Sequence, residues 1–110
     1  MSRGERWTRK ELVVALLVYC SFDPEYRLSR AASRHPIWLD VLPNRPASSV
    51  GMRLGNFAFS DPDMQKLGHK GLSGGGSEAH LLVDSVKGDD GRISVQKLLT
   101  IAAIELGLGV

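Results

Sequence analysis

The sequence predicts an all-α fold, a compact bundle of about five helices built around a helix-turn-helix-like core of three. Three observations lead there. No stretch alternates apolar and polar residues over more than a few positions, as a half-buried strand would. Hydroxyl or carboxylate side chains stand at cap spacing ahead of several apolar runs. Between those runs, prolines and glycines interrupt the chain where a helix has to stop.

The first helix opens at Thr8-Arg9-Lys10-Glu11, the spacing of a capping box, in which the threonine hydroxyl accepts from the Glu11 N–H and the carboxylate reaches back. Leu12, Val13, Ala15, Leu16, Leu17, Val18 and Tyr19 leave it almost no polar face. Such a helix has to be surrounded by the rest of the domain, so it is expected to be central. Asp23-Pro24 ends it, because proline cannot continue the ladder and the residue before it avoids the α region. Residues 25–33 are polar and basic and read as a loop with a partial turn. Pro36 suits the first turn of a second helix through Ile37, Trp38, Leu39, Val41 and Leu42, and Pro43 closes it.

After a turn at Asn44-Arg45-Pro46, a third helix runs from Pro46 or Ala47 to about Phe59. At 100° per residue Val50, Leu54 and Phe57 fall within about 60° of one another, which makes them the buried stripe. The opposite arc holds Ser48, Ser49, Met52, Gly55 and Asn56, with Arg53 at its margin. Gly51 and Gly55 each weaken the helix by roughly 1 kcal/mol relative to alanine, so a neighbouring helix or a ligand backbone needs that space. Asp61 is expected to cap a short turn, Pro62 to Leu67, and Gly68–Gly76 forms a glycine-serine loop carrying His69 and Lys70. Ser77 is expected to cap a fourth helix to about Val86. A polar turn over residues 87–92 precedes a last helix, capped by Ser94 and ending near Leu106. Residues 1–110 thus read as one helical domain, with a core at 7–59, a connector at 60–76 and a C-terminal helical pair at 77–110.

Composition narrows the function classes. With 110 residues, 43% apolar and 24% charged, the chain has material for one hydrophobic core and none of the composition of a disordered segment. The lone Cys20 excludes an internal disulfide. With three scattered histidines it also excludes the paired ligand spacing of a structural zinc site, so no metal and no cofactor is expected. No catalytic constellation is visible, and the expectation is a non-enzymatic protein. The apolar run Leu12–Cys20 is far shorter than a membrane span and carries no cleavage pattern, which favours the cytoplasm and no membrane partner.

Charge is distributed unevenly. Residues 1–60 carry nine Lys/Arg against five acids, a net of +4, whereas residues 61–110 carry a net of −2. All but one of the basic groups in the first part are arginines, whose planar fork suits phosphate and guanine edges. Composition by itself leaves two readings open, a polyanion-binding half and a solvated arginine surface.

Trp7-Thr8-Arg9-Lys10-Glu11-Leu12 and, above all, Arg45-Pro46-Ala47-Ser48-Ser49-Val50-Gly51-Met52-Arg53-Leu54-Gly55-Asn56-Phe57-Ala58 carry a resemblance, continued by Asp61-Pro62 and Lys70-Gly71-Leu72-Ser73-Gly74-Gly75. Over about residues 7–85 the chain resembles the N-terminal helical domain that precedes the nuclease in restriction endonucleases of the HNH type. The resemblance implies a helix-turn-helix-like module that contacts double-stranded DNA through the third helix. In that family the turn usually reads Gly-Arg-Thr-Pro-Ser-Ser, where this chain has Pro43-Asn44-Arg45-Pro46-Ala47-Ser48-Ser49. Only about 25 residues follow the matching region, too few for a ββα-metal nuclease, so a regulator or a DNA-targeting accessory is expected.

The expected DNA contacts are Ser48, Ser49, Met52, Arg53 and Asn56 on the third helix, Arg9 and Lys10 at the first, Arg45 before the third, and Lys70 on the loop. Hydroxyls and helix N-terminal amides would meet phosphate, while asparagine matches adenine and arginine matches guanine bidentately. Arg3 and Arg6 extend the basic arm. The Gly-Ser loop lacks the Gly-Lys-Ser/Thr ending of a nucleotide-binding loop and reads as a connector. Trp7 and Trp38 read as core anchors. The last helix is apolar around much of its circumference, so it packs on the first helix or forms a homodimer or protein-partner surface. A protein-interaction module, such as a phage or mobile-element protein that engages a host factor, is the alternative function.

Overall fold

The computed structural model describes residues 6–107. It is all-α, with seven helical segments among those residues: α1 (Arg9–Ser21), α2 (Arg30–Ser33), α3 (Ile37–Val41), α4 (Ala47–Phe59), α5 (Pro62–Lys66), α6 (Ser77–Ser85) and α7 (Val95–Glu105). The described residues contain no strand, only an isolated antiparallel bridge between Lys87 and Ile93 that closes the turn before α7.

The capping box forms as the spacing predicts. Thr8 Oγ1 accepts from the Glu11 N–H at 3.1 Å, and Glu11 Oε1 accepts from the Thr8 N–H at 2.8 Å. α1 is central: Leu12, Val13, Ala15, Leu16, Val18 and Tyr19 are buried, and α4, α6 and α7 pack around it. Full burial of each large aliphatic side chain contributes roughly 1.5–3 kcal/mol, so this helix anchors the hydrophobic core. The Tyr19 and Phe57 rings meet edge to face at 5.5 Å between centroids, which ties α1 to the buried stripe of α4.

Residues 25–33 contain a real helix, α2, where the sequence reads as a partial turn. Ser29 caps it by accepting from the Ala32 N–H at 3.2 Å. At its far end the buried Trp38 indole donates to the Ala32 carbonyl at 2.7 Å, which pins α2 against α3. Four residues are too few to show an apolar period, so this helix leaves no trace in the sequence pattern. Pro36 precedes α3 as expected, and both tryptophans are core residues.

α4 begins and ends where the proline and the apolar stripe place it, with Val50, Leu54, Phe57 and Ala58 buried. Asp61 caps α5 by accepting from the Asp63 N–H at 3.0 Å, and Ser94 caps α7 by accepting from the Lys97 N–H at 3.2 Å. The expectation for Ser77 needs correction. Gly76 holds the cap position of α6, Ser77 is the first helical residue, and no side chain caps this end. A Cβ on Gly76 would overlap the Asn56 side-chain amide, which leaves glycine as the residue that fits there.

α7 packs on α1 through Leu98 and Ala102. Its exposed apolar residues form no single stripe: Val95 and Leu99 lie on one flank, and Ile104 is about 180° from Val95 around the helix. No helix among the described residues is long and apolar enough to cross a membrane.

A buried polar cluster, absent from the sequence reading, joins three parts of the chain. Asp61 is 1% exposed; its Oδ2 accepts from the Tyr19 hydroxyl at 2.6 Å and from Arg27 Nη1 at 3.1 Å. Arg27 also donates to the Phe22 and Cys20 carbonyls, and its guanidinium lies 4.8 Å from the Tyr19 ring centre. Burial raises the Tyr19 hydroxyl, and the Asp61 carboxylate it donates to raises it further. Burial likewise pushes the Cys20 thiol up to about 11, so it is a poor nucleophile at neutral pH.

Candidate nucleic-acid interface

The arc of α4 opposite the core divides into an exposed N-terminal half and a covered C-terminal half. Ser48 is exposed and Met52 is 50% exposed, as a docking face requires. Pro46 provides no side-chain cap, and among the described residues the N–H groups of Ala47 and Ser48 have no acceptor. Ser49 is half-buried and accepts from the Trp7 indole N–H at 3.1 Å, which secures the chain ahead of α1.

Asn56 requires the largest correction. It is 1% exposed, and its amide Nδ2 donates to the Leu72 carbonyl at 2.8 Å and the Gly74 carbonyl at 3.3 Å. Its Oδ1 accepts from Arg53 Nη1, which also donates to the Gly75 carbonyl. With its amide so engaged, Asn56 has nothing to offer an adenine edge; it fastens the glycine-serine loop to α4. Gly55 serves the same packing. Leu72 lies over it so closely that a Cβ would overlap the Leu72 side chain, and the Leu72 N–H donates to the Gly55 carbonyl at 2.9 Å. Gly51 faces Ser33 of α2, where an added Cβ would make only ordinary contact, so Gly55 alone of the two helical glycines is required to make room for the protein's own chain. The loop is accordingly a fitted lid over α4 along Gly71–Gly76, where the composition reads as a plain connector.

Arg45 also departs from its expected role. Its fork engages Glu11, with Nε at 3.0 Å from Oε2 and Nη2 at 2.8 Å from Oε1, while Nη2 also donates to the Arg6 carbonyl. The guanidinium lies 5.0 Å from the Trp7 ring centre. Arg45 thus locks the start of α1 to the turn before α4 and presents no open fork to phosphate. The Arg45 hydrogen bond is the main cause holding the Glu11 carboxyl below its ordinary value of 4.5, against a partial opposing effect of burial.

The stability supplied by a depressed carboxylate is complete above its unfolded-chain pKa and is lost as pH falls through the lower folded value. Glu11→Gln is therefore expected to be less stable than wild type at neutral pH, with the gap closing below about pH 4.5. Urea midpoints measured in parallel across the acid range check this; a gap that stays constant with pH contradicts the Glu11–Arg45 assignment.

The remaining expected contacts fall on the surface. Arg9 pairs with Glu105 at 3.2 Å, a link between the start of α1 and the end of α7. Lys10 and Lys70 are exposed, with no ion pair among the described residues. Arg3 lies outside the described residues. Arg53 is half-buried; burial, followed by the nearby positive charge of Arg45, lowers its affinity for its proton.

Two further arginines lie on or just after α2, which packs on α4. Arg30 and Arg34 on and just after α2 are exposed and have no acidic partner among the described residues. Arg30 and Ser33 line a shallow groove with Gly51 of α4. Their sequence signal is two arginines one helical turn apart without intervening acids, Arg30-Ala31-Ala32-Ser33-Arg34. Comparison of the chain with family models, curated proteins and solved structures finds no match.

Proposed function

We propose that this protein is a small, non-enzymatic DNA-binding protein of the cytoplasm, a regulator or DNA-targeting accessory, that meets the duplex with α2 and the first half of α4. In this reading α3 and α4 act as the turn-linked pair of a helix-turn-helix-like unit. The observation that carries it is a pair of exposed arginines without an acidic partner among the described residues, Arg30 and Arg34, on and just after α2, a helix that packs on α4, whose uncapped start carries the exposed Ser48 and two amides without an acceptor among the described residues. Cations and helix-start N–H groups on one surface are what a phosphate backbone takes. Ser48 and Met52 are exposed α4 side chains able to reach base edges.

Each phosphate contact contributes about 0.9 to the slope of log affinity against log salt on duplex DNA. Arg30→Ala with Arg34→Ala is expected to lower that slope by about two units and to weaken binding uniformly across sequences. Fluorescence polarisation with random duplex across a salt series is the measurement. An unaltered slope removes α2 from the interface.

A protein-interaction module is the second reading, favoured by a specific feature. Leu81 of α6 is 67% exposed beside a groove that Trp7 and Leu12 line together with the charged Arg9 and Glu78. If that face carries the function, Leu81→Asp abolishes a stoichiometric protein association and leaves the salt-dependent retention of DNA untouched.

A further inference from the structure

We infer that the outward face of α4 is built for DNA whose bases are locally unstacked, with Met52, Leu72 and Phe59 meeting base faces that a perfect duplex keeps covered. The inference rests on the DNA reading above and names the form of DNA that this reading takes. Met52, Leu72 and Phe59 are 50%, 46% and 44% exposed. Unlike the scattered apolar residues of α7, they form a row. Met52, Gly55 and Phe59 fall within about 60° of one another around α4, and the Leu72 side chain lies over Gly55, so one large apolar group stands at each position. At the rise of an α-helix the row is about 10 Å long.

The row is held firmly. The Leu72 N–H donates to the Gly55 carbonyl at 2.9 Å, and the Leu72 carbonyl accepts from Asn56 Nδ2 at 2.8 Å and from His80 Nε2 at 3.1 Å. The His80 ring also packs on Phe59, with 4.9 Å between centroids and a tilt of 39°. A ring already braced by a neighbour has little freedom left to lose when a base stacks on it.

Charge selects the occupant. The elements that border the row, α2, α4 and residues 66–76, contain no Asp or Glu. The carboxylates at the other helices packed on α4, Glu11, Asp61, Asp63, Glu78 and Asp84, are all in ion pairs. Lys70 has no ion pair among the described residues and adjoins Gly71, which packs against the Phe59 backbone; Arg30 shares a groove with Gly51, next to Met52. Phosphates satisfy the cations and exposed base faces satisfy the apolar row. A perfect duplex leaves the row unused, and an uncharged apolar partner leaves the cations unused.

Fluorescence polarisation with a short duplex, and with the same duplex carrying a central run of mismatches, tests the inference. The mismatched probe is expected to bind at least about fivefold more tightly at equal salt. Phe59→Leu keeps an apolar side chain and removes the ring, and should reduce that preference to under about twofold without changing affinity for the perfect duplex; Phe59→Trp should retain it. Lys70→Ala, a surface change that spares the fold, should lower the salt slope on the mismatched probe by about one unit. Equal affinity for the two probes, a preference that survives Phe59→Leu, or an unaltered slope in Lys70→Ala overturns this inference and leaves the DNA reading standing. Absence of salt-dependent retention of either probe overturns the DNA reading and this inference together.

Discussion

Replacing Asp61 with alanine is expected to destabilise the protein by about 3–5 kcal/mol, the effect of leaving one member of a buried ion pair without its partner. A domain of this size has only about 5–15 kcal/mol of stability, so the variant should lie near the edge of folding. The size of the effect comes from what remains. Arg27, 9% exposed, would keep its bonds to two backbone carbonyls but lose its counter-charge, and the Tyr19 hydroxyl would be a buried donor without an acceptor. The cap on α5 would go as well.

Urea unfolding midpoints measure it, and two companions apportion it. Tyr19→Phe removes one hydrogen bond and should cost about 1 kcal/mol, while Arg27→Met combined with Asp61→Leu should recover much of the loss by replacing the pair with apolar packing. A penalty under about 1 kcal/mol for Asp61→Ala would show that the cluster is not the clamp described.

The second large effect concerns Asn56. Asn56→Ala is expected to cost about 2–4 kcal/mol, because the Leu72 and Gly74 carbonyls lose their donor and Arg53 loses an acceptor in a covered place. The loop over residues 71–76 should then loosen, which limited proteolysis reads directly as cleavage near Ser73–Gly75. DNA retention at temperatures where the variant stays folded should change little. Intact stability with lost sequence discrimination would reverse this assignment and restore Asn56 as a reader of bases.

The comparison of these two residues shows what a sequence reveals of a fold and what it withholds. Thr8, Asp61 and Ser94 announce their helix starts because a cap is a contact between residues two or three apart. The start of α4 after Pro46, its end at Phe59 and its stripe Val50, Leu54 and Phe57 are equally local, and all are found where expected. Asn56 belongs to the same readable helix, yet its burial depends on a loop 16 residues away folding back over it. A polar arc has the same pattern whether water or a loop covers it. The available clue was Leu72, one large apolar side chain within a run of glycine and serine.

The candidate interface was legible in a similar proportion. Ser48 and Met52 are on the outside as the helical wheel places them. Arg45 and Arg27 counted equally with every other arginine in the charge tally, and each has a carboxylate 34 residues distant as its partner. Long-range pairing of this sort has no signature in spacing. Arg30 and Arg34 were in plain view but fell in a stretch too short to be recognised as a helix.

The all-round apolar character of α1 carries a consequence for dissection of the protein. The part that carries Arg30, Arg34 and α4 ends at Phe59, yet α6 and α7 sheathe the same rod from the other sides. A polypeptide cut after Phe59 would retain every residue of the suggested duplex-facing surface and expose a greasy column to water, inviting clumping. On the proposed reading, the duplex-facing residues and the helices that cover α1 lie in different parts of one chain, so cutting after Phe59 would not yield a soluble reader.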